Sequence, residues 1–110
     1  MIRIDWHGAA RDQALKTYVE QRIRSFGLLD PNLGVVTVRL AHGSGLGGFH
    51  ARCRMMARPV PWADVVVEET DVDPHTAIDR SAERLADFVA LARRARDGQS
   101  GTAQPDSGVL

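Results

Sequence analysis

The sequence predicts an α+β domain of two layers in the order β-α-β-β-β-α, a four-stranded sheet with two helices packed on one face. Two observations predict it. Four short stretches read as strands, by apolar-polar alternation or by runs of β-branched residues. Two longer segments repeat their apolar residues every three to four positions, the pattern of a helix with one buried stripe. Each element has a single apolar face to bury, so two layers suffice, and the crossover from the first strand to the second is expected to be right-handed.

Strand one is Ile2, Ile4 and Trp6 alternating with Arg3 and Asp5. Helix one spans about Ala10 to Phe26, with Leu15, Tyr18, Val19, Ile23 and Phe26 on its stripe, and Gly27 follows as the left-handed residue that ends many helices. Asp30-Pro31-Asn32 marks a turn, and Val35 to Ala41 is strand two. Gly43-Ser44-Gly45-Leu46-Gly47-Gly48 lacks the Lys and Ser/Thr offsets of a phosphate loop and leads into another strand pattern, so it reads as a hairpin connector. Strand three, Phe49 to Arg58, points Phe49, Ala51, Cys53, Met55 and Ala57 inward, and Pro59-Val60-Pro61 is expected to break it. Strand four runs from Trp62 to about Glu69. Asp73-Pro74 pairs an N-cap with a first-position proline, opening a helix from Pro74 to about Arg96 that buries Ile78, Ala82, Leu85, Val89 and Ala92. Residues 1–96 form the expected domain, and 97–110, poor in anything to bury, an expected disordered tail.

The chain has 110 residues, 44% apolar and 25% charged, enough for one core without a metal or a partner. Its apolar runs, such as Val65-Val66-Val67, fall far short of the roughly twenty residues of a membrane span, and no apolar signal core opens the sequence. A cytoplasmic protein with no membrane partner is expected. Fourteen basic and fourteen acidic residues cancel, so any phosphate-binding surface must arise from segregation of charge. Lys16 is the single lysine; every other cation is an arginine, whose planar fork suits phosphate.

Asp73-Pro74-His75-Thr76-Ala77-Ile78-Asp79, followed by Arg84-Leu85, resembles the last helix of the ribosome hibernation promoting factors, also called ribosome-associated inhibitors. Ile2-Arg3-Ile4, His7-Gly8 and the helix carrying Leu15, Val19 and Arg22 look like that family's opening strand and first helix. The resemblance spans residues 1–96 and is to the family's short form. It implies the same element order and a non-enzymatic protein that inhibits translation by occupying the messenger and transfer RNA channel of the small ribosomal subunit, with ribosomal RNA as partner. Arg22 and Arg84 match basic positions of the family pattern, and Arg93 matches one near the helix end. Ser25, Asp87 and Leu91 stand where that pattern commonly has lysine, arginine and lysine.

The candidate RNA-binding residues are Arg22 and Arg24 of helix one with Arg80, Arg84, Arg93, Arg94 and Arg96 of helix two, a basic track if the helices pack side by side. Arg11 and Lys16 lie near it. The plainer account is a solvated face with intrahelical pairs such as Asp12 with Lys16, Arg80 with Glu83 and Arg84 with Asp87. By alternation, the uncovered sheet face shows Arg3, Arg39, Arg52, Arg54 and Arg58 against Asp5, Asp64 and Glu68, a second candidate contact. The four histidines are irregularly spaced, so no metal or cofactor is expected. Cys53 reads as a core residue, and Asp79 with Glu83 lacks the apolar cleft that paired catalytic carboxylates need, so neither an enzyme nor a small-molecule substrate is expected. Trp6 and Trp62 read as core or edge-of-core aromatics. The alternative function is a protein-interaction module on the same scaffold without ribosome binding.

Overall fold

Asp12 opens the first helix by accepting the backbone N–H of Ala14 at 2.9 Å and of Leu15 at 3.4 Å, two donors that the helix itself cannot satisfy. In this computed structural model, which describes residues 2–7, 12–30, 33–45, 48–60 and 63–100, the elements are β1 (Ile2–His7), α1 (Gln13–Ser25), β2 (Val36–Gly45), β3 (Gly48–Val60), β4 (Ala63–Asp71) and α2 (Pro74–Ser100). The sheet order is β1-β2-β3-β4, with β1 parallel to β2 and the other neighbours antiparallel. This is the expected α+β order with both helices on one face.

The core lies between sheet and helices. Val36, Val38 and Leu40 of β2, Cys53, Met55 and Ala57 of β3 and Val67 of β4 meet Leu15, Val19 and Ile23 of α1 and Ile78, Ala82, Leu85 and Val89 of α2. Burying Ile78 or Leu85 completely contributes roughly 1.5–3 kcal/mol each. Ala77, Ser81 and Ala82 are also fully buried, and such small side chains let α2 approach β3 closely enough for the Ser81 hydroxyl to donate to the Cys53 carbonyl at 3.1 Å.

The end of α1 is a tight cap. Gly27 N–H donates to the Arg24 carbonyl at 3.0 Å and Leu28 N–H to the Ile23 carbonyl at 2.9 Å, while Gly27 holds φ +72°. Ile23 and Leu28 are both buried beside this turn.

Several boundaries differ from the sequence reading. Phe26, expected on the buried stripe, is the C-cap and is 37% exposed, because the helical period is already lost there. The glycine-rich segment does connect a hairpin, but the ladder continues through it to the Gly45–Gly48 pair, since cross-strand hydrogen bonds need no side chains. Pro59 does not end β3. The strand reaches Val60 through a register shift between Ala57 and Val60, and such a bulge accommodates a residue with no N–H to give. β4 ends at Asp71 and α2 at Ser100, four residues past the expected Arg96. No proline interrupts 97–100, so each added residue gains a helical hydrogen bond. Residues 101–110 of the expected tail, and Trp62, lie outside the described residues.

A Cβ on Gly27 would touch nothing within 4 Å, so the Gly27→Ala cost is backbone strain alone. It is expected to be about 1–2 kcal/mol by urea denaturation, with Gly27→Asn costing less. Burial pushes the Cys53 thiol up to about 12 from an ordinary value of 9.0, the Ser81 hydroxyl opposing this. A raised thiol pKa favours the fold below that ordinary value, and the gain is lost as pH rises from there through the folded value. Cys53 should therefore resist thiol reagents until the chain unfolds. The decline in urea midpoint between about pH 8 and about pH 11 should be shallower in Cys53→Ala.

Candidate nucleic-acid interface

The two helices run in the same sense and are tied by a polar cluster. The Tyr18 hydroxyl donates to the Asp79 carboxylate, 2.8 and 2.9 Å from its two oxygens. Arg22 Nε donates to Asp79 Oδ1 at 2.8 Å and to the Tyr18 hydroxyl oxygen at 3.3 Å. The Arg22 guanidinium also lies 5.2 Å from the Tyr18 ring centre, and the His75 ring meets Tyr18 edge-on at 4.6 Å. The Tyr18 hydrogen bond first, then the Asp79 charge, raises Arg22 above the ordinary arginine value.

Asp73 caps α2 by accepting the His75 backbone N–H at 3.0 Å. His75 Nδ1 lies 3.1 Å from the same Asp73 oxygen, and the Thr76 hydroxyl donates to the other at 3.4 Å. These contacts, the backbone bond foremost, hold the Asp73 carboxyl below the usual carboxylate range.

The helical arginines do not form an unbroken strip. Besides Arg22 with Asp79, Arg80 pairs with Asp71 at 3.4 Å, Arg84 with Glu69, and Arg93 with Asp30 at 2.7 Å. Arg84 also donates to the Glu68 carbonyl at 3.3 Å and lies 5.8 Å from the Phe88 ring centre. The expected partners Glu83 and Asp87 are bypassed. α2 lies over β4, and arginine stems long enough to cross its rim reach β4 carboxylates before those of their own helix. Arg24, Arg94 and Arg96 are exposed, as are Lys16 and Asp87. Arg24 and Arg94 have no carboxylate within pairing distance among the described residues. Arg11 lies outside the described residues.

On the face away from the helices the strand register sets the charges in rows. Asp5, Arg39, Arg54 and Glu68 stand in one row, and Arg3, Thr37, Met56 and Val66 in the next. Arg3 pairs with Asp5 at 3.5 Å, Arg52 with Glu68 at 3.6 Å and Arg58 with Asp64 at 2.6 Å. The Arg58 contact lowers the Asp64 carboxyl from its ordinary range and raises the guanidinium in turn. The alternation placed these residues on the open face but left their register unset. A two-residue connection at 46–47 would have put Arg39 opposite Arg54. Tyr18, counted on the apolar stripe, was missed as the link between helices; its place at the stripe's edge, where a hydroxyl reaches polar neighbours, was the available signal.

A cleft of about 440 Å³ between β1 and α1 is lined by Ile2, Ile4, Trp6, Asp12, Gln13, Lys16 and Glu20, with no nucleophile and base set against each other. Trp6 is half-buried and packs against the core. Among the described residues no group of His, Cys, Asp and Glu could hold a metal ion, and no helix is long and apolar enough to cross a membrane.

No family model matches the chain, and no curated protein matches it. Its fold is similar to that of a ribosomal subunit interface protein from Coxiella burnetii, with a TM-score of 0.72 at 10% identity over 84% of this chain and 97% of that one. It is also similar to the N-terminal domain of Protein Y from Thermus thermophilus, with a TM-score of 0.62 at 24% identity over 83% of this chain and 96% of that one. At these identities the likeness is one of fold: the same two-layer domain, spanning nearly the whole of both neighbours.

Proposed function

We propose that this chain is a non-enzymatic ribosome-binding factor that occupies the messenger and transfer RNA channel of the small subunit and so inhibits translation. The observation that carries the reading is the end-to-end match of its fold to a ribosomal subunit interface protein, 97% of which is covered. The sequence resemblance of residues 1–96 points the same way. Ribosomal RNA is contacted through the outward arginines of both helices, Arg22, Arg24, Arg80, Arg84, Arg93, Arg94 and Arg96. Arg24 and Arg94 are the readiest of these, having no carboxylate to leave among the described residues. The paired ones exchange partners, which is feasible because exposed ion pairs are weak and phosphate is a strong bidentate acceptor. Each exchange leaves a carboxylate near the phosphate, so affinity is modest and sensitive to salt.

The second reading, a protein-interaction module, is favoured by one observation: at least four of the seven arginines already hold carboxylates among the described residues. Sedimentation with small subunits across a salt series separates the two. Ribosome binding predicts association that falls with salt, with a log-log slope of roughly 0.7–0.9 per phosphate contact. Absence of association in dilute salt would leave the module as the function. Arg24→Ala with Arg94→Ala should weaken association more than Arg22→Ala with Arg84→Ala, with the far-ultraviolet circular dichroism of each unchanged. In the opposite direction, Glu69→Gln and Asp87→Arg should each tighten association by a factor of about three to ten in dilute salt, through one more available phosphate contact.

A further inference from the structure

Arg39 and Arg54 sit directly opposite each other on neighbouring strands of the uncovered sheet face, both exposed. Like charges in that position repel, and sheets ordinarily avoid them. The carboxylates at the ends of their row do not compensate. Asp5, beside Arg39, is held by Arg3, and Glu68, beside Arg54, reaches diagonally to Arg52. Neither Arg39 nor Arg54 has a hydrogen bond or ion pair among the described residues, whereas the other three arginines of this face each have a carboxylate. Among the described residues, five arginines against three carboxylates leave this face with a positive excess, concentrated at the opposed pair.

The surface around the pair is a shallow trough. One depression of about 180 Å³ is lined by Thr37, Arg39, Arg54 and Met56, and an adjoining one of about 210 Å³ by Arg39, Ala41, Arg52, Arg54 and Glu68. Both share the two arginines. Short side chains on β2, Thr37 and Ala41, leave the floor open between longer ones. Met56 and Val66, 38% and 44% exposed, form an apolar ledge along the next row.

We propose that the Arg39–Arg54 pair is a phosphate-binding site that takes the backbone of a single-stranded RNA segment laid across the open sheet face. Two guanidiniums lining the same depressions can grip the oxygens of one phosphodiester between them, and binding one converts their repulsion into attraction. The ledge selects against a free phosphate, which has no apolar part to cover Met56 and Val66, and favours a strand whose sugars and bases do. The guanidinium planes add a stacking surface for bases, which an acidic peptide lacks. The site goes beyond the ribosome reading. It lies on the layer opposite the helices, so one molecule holds RNA on both sides, and a short RNA can occupy it without a ribosome.

The test is binding of a fluorescent single-stranded oligouridylate to the full chain in dilute salt, comparing wild type with Arg39→Gln/Arg54→Gln and with Arg24→Gln/Arg94→Gln. The sheet-face double variant should lose at least about tenfold in affinity, and its salt slope should fall by about 0.7, the single-strand value for the one phosphate the pair holds. It should also melt no lower than wild type, because the substitution removes a repulsion, which excludes misfolding as the cause of the loss. Competition by inorganic phosphate only at concentrations far above those of the oligonucleotide's own phosphates supports the site. Unchanged affinity and slope in Arg39→Gln/Arg54→Gln would overturn the proposal, and so would polyglutamate of equal charge competing as well as RNA. Small-subunit sedimentation is read separately: if oligonucleotide binding depends on Arg39 and Arg54 while ribosomes are ignored, the ribosome reading fails and the sheet-face site stands.

Discussion

The close seating of α2 on β3 and β4 governs the rest of the molecule. Ala77, Ser81 and Ala82 present almost no bulk to the sheet, so the helix sinks until the Ser81 hydroxyl reaches a β3 carbonyl. At that depth the neighbouring Arg80 and Arg84 are carried over the rim of β4, where Asp71 and Glu69 meet them. A bulkier strip would lift the helix and leave both arginines to solvent. Packing in the core therefore decides the pairing of Arg80 and Arg84, while among the described residues each layer keeps two arginines without a carboxylate, Arg24 and Arg94 on the helices and Arg39 and Arg54 on the open sheet face.

The helix pair adds a second constraint. Tyr18 belongs to the apolar stripe by its ring and to the surface by its hydroxyl, and through that hydroxyl it holds Asp79, which holds Arg22. Arg22 is thus an oriented cation, with its ring contact and its carboxylate both fixing the guanidinium. Arg24, two positions later on the exposed side, has no such anchoring. As candidate phosphate contacts the two residues differ: one has a preset direction that already has an occupant, the other an unpaired charge, among the described residues, on a long flexible stem.

Most of the fold was legible because it is written in local periods. Alternation marked the inward residues Ala51, Cys53, Met55 and Ala57 of β3, and the three-to-four spacing marked Leu15, Val19 and Ile23 of α1 and Ile78, Ala82 and Leu85 of α2. Gly27 was legible because one backbone conformation required it. What escaped was set by neighbours distant in sequence. Arg93 and Asp30 are 63 positions apart, and nothing local to either announces their pairing. Pro59 reads as a terminator because its missing N–H is a local fact, while the bulge that tolerates it belongs to the pairing with β4. The candidate site was therefore legible as a set of arginines but not as a pattern of occupied and vacant ones.

The parallel pairing of β1 with β2 carries a consequence for how the chain comes together. β1 precedes α1, yet the strand it pairs with among the described residues, β2, follows after the whole of that helix, whereas β2, β3 and β4 are joined by short reversals. Closing the long loop costs more chain entropy than closing the hairpins. The antiparallel meander with α2 laid over it is accordingly the natural nucleus, and β1 docks last, onto an edge already in place.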